Sequence, residues 1–268
     1  MILPLFLALQ VMSATPAPFD LAPAPPAPGP SMPGPQTSDE ARFDHCVDLA
    51  TDDPGKAEVE ASAWRLGGGR FLARQCLGMA YSREGRWALA AGEFGNAARD
   101  AEIAKDNRAV NYWAQSGNAW LAAGDWAQAR SALDAALAAG TLSGMYLGEA
   151  RLDRARAMVA ADDLPSARDD LDRALALVPG DPLAWLLSAT LARRMNDLHR
   201  AQTDIAETLR RSPDDASVQL EAGNIAALSG KEDQAREAWG NAARIAPGTA
   251  VAKAATAALA QFGSAAKP

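Results

Sequence analysis

Between Arg151 and Pro247 the same residue types recur three times at 34-residue intervals, and few folds tolerate that pattern. A small residue stands at the eighth place of each frame (Ala155, Ala189, Gly223) and an alanine at the twentieth (Ala167, Ala201, Ala235). A large apolar residue follows at the twenty-fourth place (Leu171, Ile205, Trp239) and a small one at the twenty-seventh (Ala174, Thr208, Ala242). Proline closes each frame at the thirty-second (Pro179, Pro213, Pro247). A period in this range marks stacked supersecondary units, each of which needs its neighbours to bury its apolar face.

The pattern is that of a helical hairpin. Small residues let two antiparallel helices approach closely, and the bulky twenty-fourth residue is expected to fill the gap toward the next hairpin. Proline stops the second helix, because it lacks an N–H and clashes with the preceding turn. Two further copies lie upstream: Trp113, Gly117, Trp120, Gly124, Ala129, Leu133 and Ala136, preceded by Leu77, Gly78, Tyr81, Gly85, Ala90, Phe94 and Ala97. Their spacing exceeds 34 by a few residues, which predicts extra turn near Ala104–Arg108 and Thr141–Gly144.

These residues resemble the tetratricopeptide repeat family, whose pattern of Trp, Leu-Gly, Tyr, Gly, Ala, Phe, Ala and Pro is present in partial form in every frame. The resemblance implies an all-α, right-handed solenoid of antiparallel helix hairpins with about five clear repeats, spanning residues 38–263. It also implies a protein-binding concave face lined by the first helix of each hairpin. Carried over place by place, the groove candidates are Gln75, Met79, Arg83, Asn111, Gln115, Asn118, Arg156, Thr190, Arg194, Glu221 and Asn224, with Glu149, Asp153 and Arg193 beside them. Asn118 and Asn224 hold the ninth place, where some members use asparagine to bond a peptide backbone. The lysine that members clamping a C-terminal carboxylate carry at the fifth place is replaced by Gln75, Ala114, Leu152, Leu186 and Leu220, so that clamp is incomplete. Leu152, Leu186 and Leu220 with Met79 would suit an amphipathic helix or an extended apolar peptide; the alternative is that they pack between hairpins.

Outside the repeats the chain changes character. Met1–Ala14 is an uncharged apolar run ending on Ser13-Ala14, too short to span a bilayer and built like the apolar region and cleavage site of a signal peptide. It lacks the usual leading Lys or Arg, and the other reading is an apolar tail on a cytoplasmic protein. The first reading predicts a periplasmic or secreted product. Residues 15–37 are mostly Pro, Ala, Gly and Ser, a composition that cannot bury a core and favours extended, polyproline-like backbone; the segment reads as a disordered linker. Ordered structure is expected from Ser38, with one helix over Glu40–Ala50 and a second over Lys56–Leu66 that Gly67-Gly68-Gly69 stops. These two helices form a degenerate pair capping the array. At the other end Thr249–Phe262 reads as a terminal capping helix, and 264–268 as a disordered tail.

Chemistry is sparse. The net charge of −7 argues against nucleic acid or an anionic membrane as partner and favours basic protein surfaces. The two cysteines, Cys46 and Cys76, fall on helices of neighbouring units; in an oxidising compartment they can pair, and otherwise they are buried thiols. With two histidines, His45 and His199, far apart and no Cys-x-x-Cys, neither a metal site nor a cofactor is expected. His45 and Cys46 are helix neighbours pointing to different faces, which makes a poor catalytic dyad. The carboxylate pairs Asp162-Asp163, Asp169-Asp170 and Asp214-Asp215 are assigned to turns and helix N-termini, where they favour the dipole. The sequence thus predicts a non-enzymatic adaptor for an unidentified protein or peptide, with self-association of the repeats, a homo-oligomer, as the alternative.

Overall fold

The structure, a computed structural model, describes residues 38–264; the apolar start, the proline-rich segment and residues 265–268 lie outside the described residues. Every element among the described residues is a helix. A first pair, α1 (Ser38–Asp52) and α2 (Pro54–Leu66), precedes five hairpins. These are α3 (Arg70–Arg83) with α4 (Trp87–Ala104), α5 (Ala109–Ala123) with α6 (Trp126–Ala138), α7 (Gly144–Ala160) with α8 (Leu164–Leu177), α9 (Pro182–Arg194) with α10 (Leu198–Arg211), and α11 (Ala216–Leu228) with α12 (Glu232–Ile245). A last helix, α13 (Ala250–Ser264), covers the end of the array.

Local chemistry sets each boundary. The residue at the fifteenth place turns the chain between the two helices of a hairpin with positive φ, at Gly85, Gly124, Asp162, Asn196 and Gly230. Glycine, asparagine and aspartate are the residues that tolerate this left-handed backbone. The following aspartate caps the second helix in three hairpins: Asp125, Asp163 and Asp197 accept from the backbone N–H of Gln128, Ser166 and Arg200. Asp53 caps α2 in the same way, and because Pro54 suits the first helical position the helix begins two residues before the expected Lys56. Pro179, Pro213 and Pro247 each stand just beyond the last turn of a second helix.

The extra residues between the early repeats are absorbed differently from expectation. Part of them lengthens the helices: α4 has 18 residues and α7 has 17, against 13 or 14 in the helices of the strict frames. Only residues 105–108 and 139–143 remain as connections.

The twenty-fourth-place residue fills the gap toward the next hairpin as expected, Ile205 lying with Val218, Ala222 and Ile225 of α11 and Phe94 with Ala119 of α5, and it makes a second contact within its own hairpin. The bulky twenty-fourth residue lies on the eighth-place residue of its own hairpin. A Cβ added at Gly78 would come within 2.6 Å of the Phe94 ring, at Gly117 within 2.4 Å of Leu133, and at Gly223 within 2.4 Å of the Trp239 ring. Phe94, Leu133, Leu171, Ile205 and Trp239 are all buried. Glycine in the first helix therefore makes room for the large partner, whereas Ala155 and Ala189 face the aliphatic Leu171 and Ile205. Gly69 serves a related purpose at the α2–α3 corner, where a Cβ would meet the Trp64 indole at 2.5 Å.

One carboxylate assignment fails. Asp163 and Asp215 are helix caps, but Asp170 is buried in the middle of α8, as Asp204 is in α10. Asp170 accepts from Arg151 at 3.0 Å and Arg154 at 2.6 Å, and Asp204 accepts from Ser188 and Arg200. A buried charge persists only when paired in this way. Sequence periodicity cannot show the Asp170 pairing, because Arg151 and Arg154 sit on α7, the other helix of the hairpin.

The first helices of successive units touch one another for most of the array, α1 with α3, α5 with α7, α7 with α9, α9 with α11 and α11 with α13. The second helices make no comparable mutual contact among the described residues. Elements that crowd lie on the inside of a curve, so the first helices line the concave face.

Candidate functional site on the concave face

The predicted groove residues share the inner row of helices, and most of them are engaged with one another. From α3 to α5, Gln75 Nε2 donates to Gln115 Oε1 at 3.4 Å. From α5 to α7, Asn118 Nδ2 donates to Asp153 Oδ2 at 2.8 Å, and Arg156 holds the other oxygen of Asp153 at 3.0 Å. From α9 back to α7, Arg194 donates to the Val159 carbonyl at 3.2 Å and to Asp162 at 3.0 Å. From α9 to α11, Arg193 grips both oxygens of Glu221 at 2.6 and 3.2 Å. Asn224 donates to Glu221 at 3.2 Å and accepts from the Trp239 indole at 3.1 Å.

The result is a ladder of polar cross-links between neighbouring repeats. Each rung joins side chains about 30 to 40 residues apart in sequence, so its members look unrelated until the units stack. Burial makes the rungs matter. Burial first pushes the Asp153 carboxyl up, against the pull of Arg156 and Asn118, and partial desolvation followed by the like charges of Asp153 and Asp181 raises Glu149. Both shifts work against the charged form of these two carboxyls.

Other candidates are placed differently. Met79 is half-buried against Ala50, Ala57 and Ala80, and Arg83 is exposed at the end of α3. Asn111 and Thr190 are half-buried on the inner helices and stand outside the ladder. Leu152, expected to line the groove, is instead buried against Leu171 and Ala155 in the core of its own hairpin. Leu186 and Leu220 remain half-buried. Beside them lie Leu183 and Leu187, also half-buried, which the sequence reading passed over although they hold the second and sixth places. These four half-buried leucines stand on the inner helices α9 and α11, and Arg193 and Arg194 follow Leu183, Leu186 and Leu187 on α9.

Cys46 and Cys76 are joined in a disulfide, with Cα atoms 6.1 Å apart, that ties α1 to α3. Both residues are fully buried. The bond uses the thiol that a His45–Cys46 dyad would require, and the His45 imidazole lies exposed beside Glu60 at 3.7 Å. Among the described residues no group of three or more His, Cys, Asp or Glu is arranged to hold a metal ion, and no helix is long and apolar enough to cross a membrane.

Stacked helical hairpins with an inner row of first helices define a helical-repeat solenoid. Tetratricopeptide-repeat family models match residues 186–250 and 148–191, so this part of the chain is similar to that family. No curated protein sequence matches it. Among solved structures, PilF of Pseudomonas aeruginosa superposes with a TM-score of 0.65 at 16% identity, covering 83% of this chain and 100% of its own. PilW, a widely conserved type IV pilus biogenesis factor, gives 0.64 at 19% identity over 79% of this chain and 97% of its own. YrrB, a repeat protein with an unusual peptide-binding site, gives 0.54 at 19% identity over 73% and 96%. At such identities the likeness speaks for the fold alone.

Proposed function

We propose that the protein is a non-catalytic adaptor that binds a peptide or helix of a partner protein on its concave face, in the envelope of a bacterial cell. The carrying observation is the four half-buried leucines of α9 and α11, which we take as an apolar floor, within a face whose surrounding polar groups are already bonded to one another. Satisfied polar groups fix the curvature of the array and leave the apolar floor as the surface that gains by being covered. The peptide-binding site of YrrB lends this reading support by likeness of fold. The apolar start and the Cys46–Cys76 disulfide favour an oxidising compartment, and PilW, a type IV pilus biogenesis factor, shares the fold.

The ladder decides how to test it. Replacing Asn118, Arg156 or Asn224 would loosen the stacking as well as any contact, so Leu186→Asp and Thr190→Arg are the cleaner changes. Cross-linking in the envelope fraction followed by mass spectrometry is expected to recover a protein with the native chain and lose it with either variant. Recovery unchanged by both variants removes the concave face from the reading. Light scattering over a range of concentrations separates this from self-association, which predicts a mass that rises with concentration.

A further inference from the structure

The Cys46–Cys76 bond fastens a helix that buries little else. α1 packs against α2 and α3, and its buried residues are Cys46 and Ala50. Phe43 and Leu49 are half-buried, and Arg42 lies over the Trp64 ring at 5.0 Å. Arg42 and His45 approach Glu60 at 3.7 Å from exposed side chains, contacts that contribute little. The helix is also poorly made at its far end, where Asp48 and Asp52 stand without a base, the wrong charge for that end of the dipole. We propose that Cys46–Cys76 is a thiol–disulfide exchange site, and that its reduction by a dithiol frees α1 from α3.

The rest of the array is built to survive that loss. Ala57, Ala61 and Trp64 of α2 remain clustered with Ala80, Leu77 and Phe71 of α3, and the Phe94 ring of α4 remains over Gly78. The helix that leaves covers a particular place. Cys76 and Met79 hold the sixth and ninth places of the first hairpin, places that face inward in the later ones, and Cys76 is bonded to α1 while Met79 clusters with its Leu49 and Ala50. Freeing α1 adds Met79 and the Cys76 thiol to the N-terminal end of the concave face. Both cysteines are fully buried beneath α1, so attack waits on fraying of α1 and not on unfolding of the array. A thiolate of the dithiol attacks one of the two sulfurs, the S–S bond breaks, and the departing cysteine leaves as a thiolate that takes up a proton. The second thiol of the dithiol, losing its proton, displaces the other cysteine from the mixed disulfide. The dithiol ends oxidised to a disulfide, and Cys46 and Cys76 end as two thiols.

The full chain is held under native conditions with dithiothreitol, freed thiols are trapped with iodoacetamide, and hydrogen exchange is followed by mass spectrometry. Both cysteines should be alkylated at least about tenfold faster than the array unfolds, a rate read from the slowest amides of α7 and α8. Exchange should then rise at least about tenfold in α1, spread no further than α2, and fall back on reoxidation. Cys46→Ser, which needs no reductant, should give the same exchange pattern with Cys76 alkylated at once. Cysteines that stay unreactive until the array unfolds, exchange that rises through α3 and α4 as well, or an α1 that keeps its protection after reduction each overturn the proposal. Control of partner binding by this exchange rests on the concave face being the binding surface, and capture is then expected to rise in the reduced chain. Capture indifferent to reduction while α1 is released keeps the exchange site and removes its control of that face. Capture that depends on Leu186 in a chain whose α1 stays bound in reductant keeps the adaptor and removes the exchange site.

Discussion

The two ends of the solenoid are closed by different physics. At the N-terminal end α1 buries only Cys46 and Ala50, too little apolar surface to hold a helix, and the Cys46–Cys76 bond fastens it to α3. At the C-terminal end α13 buries Ala252 and Ala255 and lays Phe262 edge-on against Trp239, ring centroids 5.2 Å apart, with no covalent link. One end is held by restricting the unfolded chain and the other by covering an aromatic surface in the folded one. Terminal repeats have a single neighbour, so each needs some substitute for the missing half of its interface.

Changes at these ends should therefore behave differently. The largest effect is expected from Trp239→Ala, which empties the twenty-fourth place of the last hairpin and removes the platform for Phe262. A loss of about 3–5 kcal/mol is expected by denaturant unfolding, with hydrogen exchange accelerating in α11–α13 and unchanged in α1–α3. Next comes the disulfide. Cys46→Ser with Cys76→Ser should cost about 2–4 kcal/mol, read as faster exchange confined to α1 and α2. Equal loosening of both ends in either experiment would mean that the array unfolds as one unit and that the contrast has no thermodynamic meaning.

Gly223→Ala sharpens the comparison further. The added methyl would lie 2.4 Å from the Trp239 ring, so the ring must shift, at about 1–3 kcal/mol, and the melting temperature should fall accordingly. The smallest effect belongs to the N-terminal half. Tyr112 is buried against Phe71, at 6.0 Å between ring centroids, and its hydroxyl has no hydrogen-bond partner among the described residues. Tyr112→Phe removes an unsatisfied polar atom and should be neutral or stabilising by up to about 1 kcal/mol near neutral pH. The phenol adds a pH signature, because burial pushes it up to about 12. A raised pKa means that the folded state favours the protonated form. That contribution is complete below the ordinary tyrosine value near 10 and is lost as pH rises toward 12. The native chain should lose stability across that window, and the Tyr112→Phe chain should lose less.

The hairpins were legible because each boundary is written in residues a few positions apart. The proline at the thirty-second place, the glycine, asparagine or aspartate at the turn and the aspartate cap act locally, and the 34-residue period repeats them. The row of helices on the concave face followed from the same period through the family resemblance. What those residues do there did not follow. Asn118, Arg156 and Asn224 read as free groups for a partner, yet each is bonded within the ladder, and Leu152 read as lining but is core.

The sequence by itself determined the kind of unit, the number of its copies and where its hairpins turn, since turns and stops depend on neighbours along the chain. Only the tertiary structure decided which arginine pairs with which carboxylate, which leucines stay half-open and which glycine makes room for which ring. Those outcomes depend on side chains brought together across helices and repeats, and a repeating period is blind to them because it records only what every unit shares.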